Sequence, residues 1–372
     1  MDGPPPDRPP AGANVNGPAT AAPPPAWLAG LADAVEGCLA STLDAEVERW
    51  SAVDPDFEGP LRALRSVVLA GGKRVRPAFC HWAFVGVGGD PEEAGVRRAG
   101  AALEMVHAFA LLHDDVMDNS PWRHGAATLH VDYASRHHRA GWRGDSARFG
   151  EAAAILLGDV VHVYGDKLLA DAPLAARQVF NELRLEVNLG QYLDLLGAAR
   201  GWADAEHARR ICRYKTAKYT IERPLHLGVA LARPGRLAEL AGPLSAYGLP
   251  LGEAFQLTDD LLGVFGDASV TGKPVGEDLR EGKPTVLFAT AVAGASGAAA
   301  RVLGRYGAAD LDDDEVAALQ EVLVGTGAVD AVETAIDHLV DEAVSALDRA
   351  TITSEARAAL VDLAHYVAGR DR

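Results

Sequence analysis

Two pairs of adjacent aspartates, each closing an apolar stretch of helical spacing, constrain this chain more than any other feature. Asp114 and Asp115 stand near the end of the run EMVHAFALLHDDVMD, which closes on Asp118, and Asp259 and Asp260 end GEAFQLTDD. Asp114 and Asp118 stand four apart, so on a helix they share one face, with Asp115 beside them. Carboxylates crowded at the end of a buried helix repel one another and lose hydration, and bases, water or a cation must compensate. No base follows Asp118 until Arg123. One such cluster alone reads as a solvated acidic helix end. Two of them, far apart in the chain, read as helix ends that face each other across the core of a helical bundle.

A hard cation held by oxygen relieves this repulsion, and magnesium shared with substrate phosphates suits such a gap. Asp114, Asp115, Asp118, Asp259 and Asp260 are therefore the candidate metal ligands. Bases accompany them. Lys73, Arg74 and Arg76 lie in GGKRVRP, after two glycines and before Pro77, at a turn or helix start where backbone N–H groups also meet anions. Arg123 and His124 follow the first acidic cluster, Lys215 lies in RYKTAKYT, and Lys273 and Lys283 follow the second cluster. Each base alone reads as a solvated surface residue, but their joint placement points to a site for a diphosphate.

The remaining composition fits an enzyme with one large core. Of 372 residues, 48% are hydrophobic, and Ala, Leu, Glu and Arg recur while alternating β-branched runs are scarce, which predicts an all-α bundle. Residues 27–372 read as one catalytic domain, because no Pro- or Ser-rich linker interrupts them and motifs from both halves must converge. Residues 1–26, rich in Pro, Gly and Ala, read as a disordered tail without the layout of a secretory signal. No later stretch spans a membrane; the longest uncharged run, PTVLFATAVAGASGAAA, reads as a buried helix running into a loop. A net charge of −17 argues against a nucleic-acid partner. Cys38, Cys80 and Cys212 are too few and too scattered for a disulfide framework, so a reducing, cytoplasmic compartment is expected. Arg136, His137, His138 and Arg139 read as a solvated loop.

The ordered motifs GGKRVRP, HDDVMD, GQYLDL, YKTAKYT, FQLTDDLLGVFGD and GKPVGEDLREGKPT resemble those of the trans-isoprenyl diphosphate synthases, from about residue 30 to the C-terminus, and most of all the bacterial geranylgeranyl diphosphate synthases. That resemblance implies an isoprenoid-synthase bundle with a central substrate cavity, several magnesium ions, a homodimer, and the condensation of isopentenyl diphosphate with an allylic prenyl diphosphate. It also implies roles. Asp114, Asp118 and Asp259 would bind the allylic diphosphate through magnesium, with Arg123, Lys215 and Lys273 neutralising the remaining charge. The backbone carbonyls of Lys215 and Thr216 and the side chain of Gln256 would face an allylic cation. Gly72, Lys73, Arg76 and His107 would hold isopentenyl diphosphate, and His124 and Lys283 would complete the diphosphate sites.

Two positions depart from the family pattern. His124 stands where a second arginine is usual, and an imidazole lacks both the permanent charge and the planar fork of a guanidinium. Gly263 stands where the second motif ordinarily has a third aspartate. Product length should depend on what floors the pocket below Asp114. Phe109 is bulky and Ala110 small, a pattern that resembles the class making a C20 product, whose floor lies a turn deeper near Met105 and Val106. The competing readings are a terpene cyclase on the same fold, against which Lys73, Arg76 and His107 argue, and a non-catalytic partner subunit, against which Asp114, Asp118, Lys215 and Gln256 argue.

Overall fold

The computed structural model describes residues 23–123, 125–201, 204–266, 276–308 and 310–369. It is helical nearly throughout: α1 (Ala26–Ser51), α2 (Glu58–Val68), α3 (Val75–Gly86), α4 (Ala94–Met117), α5 (Leu129–Arg139), α6 (Ser146–Leu168), α7 (Leu174–Arg200), α8 (Ala205–Cys212), α9 (Arg223–Ala232), α10 (Leu237–Phe265), the short α11 (Glu277–Glu281), α12 (Val286–Gly294), α13 (Gly297–Leu303), α14 (Asp313–Gly325), α15 (Ala328–Ala346) and α16 (Ser354–Ala368). The all-α expectation holds, apart from a two-residue antiparallel hairpin pairing Trp122–Arg123 with Ala126–Ala127. Most of the expected 1–26 tail lies outside the described residues; Ala26 already begins α1.

Two helices organise the bundle because they are apolar on nearly every side. In α4, Ala99, Gly100, Ala101 and Ala102 are buried along with Leu103, Met105 and Val106, and their small side chains let α1, α3 and α6 approach. Helix α10 runs straight through Pro243 and Pro250, whose missing N–H groups would ordinarily end a helix. Burial of Leu244, Tyr247, Leu251 and Ala254 outweighs that loss, and the Tyr247 hydroxyl donates to Leu360 O at 2.7 Å, tying α10 to α16. Two hydrophobic clusters result, one around α10 and α16 and the other around α4 and α6.

Between α8 and α9 the chain winds as a π-helix over Arg213–Glu222. Helices α7 and α10 pinch this segment from two sides. A Cβ on Gly190 would fall 2.4 Å from Lys215 N, and one on Gly252 would fall 2.4 Å from the Ala217 Cα, so both contacts demand glycine. The wider winding, of a kind often found at functional sites, turns Lys215 and Thr216 toward a large cavity.

Two expectations need correction. Arg136 to Arg139 form the last turn of α5, and His137 is buried, its ring nitrogens meeting Ser146 Oγ at 2.9 Å and Arg143 O at 3.1 Å. The apolar run after Pro284 continues past α12 into a second helix, α13. Cys38, Cys80 and Cys212 are all unpaired. No helix among the described residues is long and apolar enough to cross a membrane.

Candidate active site

Helix α4 ends at Met117 with Asp118 at its C-cap; Asn119 then takes a left-handed conformation and reverses the chain. The hairpin that follows carries Arg123 back over the helix end. Arg123 Nη2 lies 2.6 Å from Asp115 Oδ1 and 3.9 Å from Asp114 Oδ2. From the π-helix, Lys215 Nζ reaches Asp114 Oδ1 at 3.1 Å and Asp194 Oδ2 at 2.6 Å. Burial works to raise the Asp114 carboxyl, but Lys215 and Arg123 outweigh it and hold the group below the usual carboxylate range. Asp118 feels Lys215 and Lys283 too weakly to offset its surroundings. Burial and the charge of Asp114 push it up to about 6.

Helix α10 brings the second cluster to the same space. Asp260 is buried and accepts a hydrogen bond from Gln256 Nε2 at 2.8 Å, while Gln256 Oε1 accepts from the Thr216 hydroxyl. Burial foremost, with Asp278 and Asp259 adding to it, pushes Asp260 up to about 7. Lys283, after α11, lies 2.9 Å from Asp278 Oδ1 and 2.6 Å from Glu281 Oε2. Burial alone would favour its neutral form, but these carboxylates hold it firmly protonated.

The basic turn before α3 divides its labour. Arg74 has φ 48 and is buried, donating to Glu104 Oε2 at 2.6 Å and to Glu36 Oε1 at 3.1 Å. It therefore staples the turn to α1 and α4 and is not the phosphate clamp expected of it. Removing Arg74 alone leaves Glu104 buried without compensation, a loss of about 3–5 kcal/mol. Arg76 instead faces inward, with its guanidinium 4.5 Å from the Tyr219 ring centroid and Nη2 donating to Thr220 Oγ1 at 3.2 Å. Its Nε is buried with no hydrogen-bond partner, a donor suited to an anion's oxygen.

A cavity of about 1210 Å³ gathers Gly72, Lys73, Arg76, His107, Asp114, Asp115, Arg123, Lys215, Thr216, Gln256, Asp259, Asp260 and Lys283 on its walls. Asp118 does not line it. A smaller cavity of about 170 Å³ continues beneath, shared by Asp114, Lys215, Thr216 and Gln256 and lined further in by Phe109, Ala110, His113, Val187 and Tyr219. The Phe109 ring stacks on His162 of α6, with centroids 4.5 Å apart. Met105 and Val106 line neither cavity and are wholly buried in helix packing. His124 and Lys273 lie outside the described residues.

The donor set suits a hard divalent cation, since every candidate ligand is a carboxylate oxygen. Among the described residues no three His, Cys, Asp or Glu side chains are grouped to hold a metal by themselves. A cation here must complete its shell with non-protein oxygens, which phosphates supply. The sequence reading missed Asp194, although it stands inside GQYLDL, and Tyr219 and Thr220, the last two residues of YKTAKYT.

Comparisons with known proteins agree with this geometry. Residues 60–323 match the family model described as Polyprenyl synthetase. The chain is 32% identical over 319 residues to the geranylfarnesyl diphosphate synthase of Aeropyrum pernix, covering 82% of this chain and 92% of that one. It is 33% identical over 308 residues to a (2E,6E)-farnesyl diphosphate synthase of Mycobacterium bovis, covering 80% of each. Its fold superposes with a TM-score of 0.86, at 36% identity and over 92% of this chain and 99% of the other, on a geranylgeranyl pyrophosphate synthase of Corynebacterium glutamicum solved with isoprenyl diphosphate and magnesium. The relatives differ in the product length their names carry, but all are prenyl diphosphate synthases: the protein belongs to the polyprenyl synthetase family of trans-prenyl diphosphate synthases and is a prenyltransferase.

Proposed function

We propose that the protein condenses isopentenyl diphosphate with an allylic prenyl diphosphate and releases geranylgeranyl diphosphate, a C20 product. The observation that carries this reading is a large cavity where two acidic helix ends and the cations Lys73, Arg76, Lys215 and Lys283 meet, with a smaller apolar cavity toward Phe109 that shares its wall. Asp114 and Asp259 would hold the magnesium that binds the allylic diphosphate, with Asp115, Asp118 and Asp260 as further carboxyl groups nearby. Magnesium, when bound, neutralises diphosphate charge and makes it a better leaving group. Lys215, Lys283 and Arg123 neutralise what remains, and Lys73, Arg76 and His107 hold isopentenyl diphosphate beside it. The C–O bond of the allylic substrate ionises, the double bond of isopentenyl diphosphate attacks the cation, and a proton leaves to the departing diphosphate. Lys215, Thr216 and Gln256 face that cation, and the apolar walls keep water from it. The chemistry needs no protein nucleophile; it is positioning and electrostatic stabilisation.

The chain-length reading rests on Phe109, which the stacked His162 ring backs. Incubation with magnesium, isopentenyl diphosphate and each allylic starter, followed by sizing of the dephosphorylated products, is expected to give chiefly a C20 alcohol. Phe109→Ala should lengthen it; a C15 product from the natural protein, or an unaltered product from the variant, would place the floor elsewhere. A hydrocarbon released without isopentenyl diphosphate would favour a cyclase.

We also read residues 27–372 as one catalytic domain working as a cytoplasmic homodimer. Leu185, Leu189 and Tyr192 form an exposed apolar stripe along α7, and Leu156 and Val163 stand exposed on α6. A patch of this kind favours cover by a second copy. Leu189→Lys with Leu185→Lys should yield a monomer by light scattering, and an unchanged mass would move the interface away from α7.

A further inference from the structure

Gly263 follows Asp259 by four residues and Asp260 by three, so it lies on the same face of α10. A Cβ added at Gly263 falls 1.9 Å from Asp278 Oδ2 and 2.6 Å from Asp278 Cγ. The carboxylate of Asp278, carried by the separate helix α11, thus occupies the space in which any side chain at position 263 would begin. Gly263, Asp278, Asp259, Asp260 and Lys283 all line the large cavity. The Asp278 side chain is only 13% exposed, and Lys283 is its ion-pair partner at 2.9 Å. Lys283 does not need Asp278 for neutralisation, because Glu281 also reaches it, at 2.6 Å. Any side chain at position 263 would have to displace the Asp278 carboxylate, so the glycine and this carboxylate go together, and pairing a lysine that Glu281 already neutralises does not account for the arrangement.

We propose that Asp278 supplies, from a neighbouring segment, the third carboxylate of the second acidic cluster, and that position 263 is glycine in order to admit it. The ligand this carboxylate serves is a divalent cation shared with a diphosphate, which rests on the functional reading above. Gly263 is then no defect of the motif. The acidic group has moved from α10 to α11, and Lys283 follows just after it, so that one segment brings both a carboxylate for the cation and an ammonium for the phosphate.

The test is an exchange of the carboxylate between the two positions. Gly263→Asp, Asp278→Asn, Asp278→Ala and the double variant Gly263→Asp with Asp278→Ala are made in the full chain. Magnesium binding is measured by calorimetry in the presence of inorganic pyrophosphate, and turnover is measured alongside. Asp278→Asn keeps shape and hydrogen bonding, yet should weaken magnesium binding by about 10- to 100-fold. Gly263→Asp alone should lose magnesium binding and turnover, since two carboxylates contend for one space. The double variant should restore most of what the single changes lose, which a purely structural role for Asp278 would not produce. Thermal melts separate misfolding from lost binding, and Asp278→Asn, nearly isosteric, keeps the question answerable if the others fail to fold. Magnesium affinity unchanged in Asp278→Asn, or a double variant no better than the single ones, would overturn the inference. A natural protein that elongates no allylic diphosphate would instead overturn the functional reading itself.

Discussion

The ends of α4 and α10 look alike as strings of residues and differ as electrostatic objects. At the first, the protein brings its own cations: Arg123 lies on Asp115 at 2.6 Å and Lys215 on Asp114 at 3.1 Å. At the second, Asp260 is buried against the neutral amide of Gln256 and keeps its proton up to about pH 7. At the first end the leading carboxylate, Asp114, is held ionised by the protein's own cations, whereas Asp260 at the second relies on a proton until something more positive replaces it. Helix periodicity places carboxylates on a face; what they do there depends on which chain segments return to cover them.

The widest test of this pairing is the loss of one leading carboxylate from each end. Asp114→Asn and Asp259→Asn should each lower kcat by about 10²- to 10³-fold, the scale for removing one preorganised charge contact to a leaving group. KM for isopentenyl diphosphate should move little, because Lys73 and Arg76 lie on other elements and His107, though on α4, stands seven residues before Asp114. A near-normal Asp259→Asn would break the comparison by showing that the first end acts alone.

A smaller effect separates Asp115 from Asp194. Asp194 shares Lys215 with Asp114, so Asp194→Asn should leave the ammonium drawn to Asp114 and lower kcat/KM for the allylic diphosphate by about tenfold, the equivalent of roughly 1.4 kcal/mol. Asp115, by contrast, is spent on Arg123. Asp115→Asn should cost mainly stability, about 1–3 kcal/mol for the buried guanidinium left under-satisfied, read as a lower melting temperature. Turnover lost in Asp115→Asn without a change in melting would restore Asp115 to the metal ligands.

These particulars mark where the sequence stops being legible. The aspartate pairs, the glycine-flanked basic turn and the all-α class were readable because each is carried by spacing along one helix or by composition. The π-helix over Arg213–Glu222 was not, because an amphipathic pattern of period 3.6 does not announce a wider turn; its signal is a pair of glycines, Gly190 and Gly252, on other helices. Arg74 and Arg76 are indistinguishable as letters. One is buried against Glu104 and Glu36 and the other aims an unpartnered Nε inward, a division set by the left-handed backbone at Arg74 and by α1 and α4 behind it. Gly263 read as a missing residue for the same reason. Its meaning lies in Asp278, which reaches it from the separate helix α11.

The finest contrast between the two ends concerns protons in the metal-free protein. Burial raises the Asp260 carboxyl from its ordinary 3.8 to about 7, and burial with the charge of Asp114 raises Asp118 from 3.8 to about 6. Between the ordinary value and the raised one, the folded chain holds a proton that the unfolded chain has released. Stability therefore falls as pH rises across that interval, and the contribution is complete only below about pH 4. Asparagine mimics the protonated carboxyl, so Asp260→Asn should match the natural protein near pH 4 and exceed it above about pH 7, by a few degrees in melting temperature. Asp118→Asn should separate from the natural protein over a shorter interval, ending near pH 6. Magnesium added with pyrophosphate selects the ionised carboxylates, so it should raise the natural protein's melting point more at about pH 8 than at about pH 5. Parallel curves for Asp260→Asn and the natural protein would mean that Asp260 is ionised in the folded state and that some cation of the protein already answers it, making the second end a copy of the first.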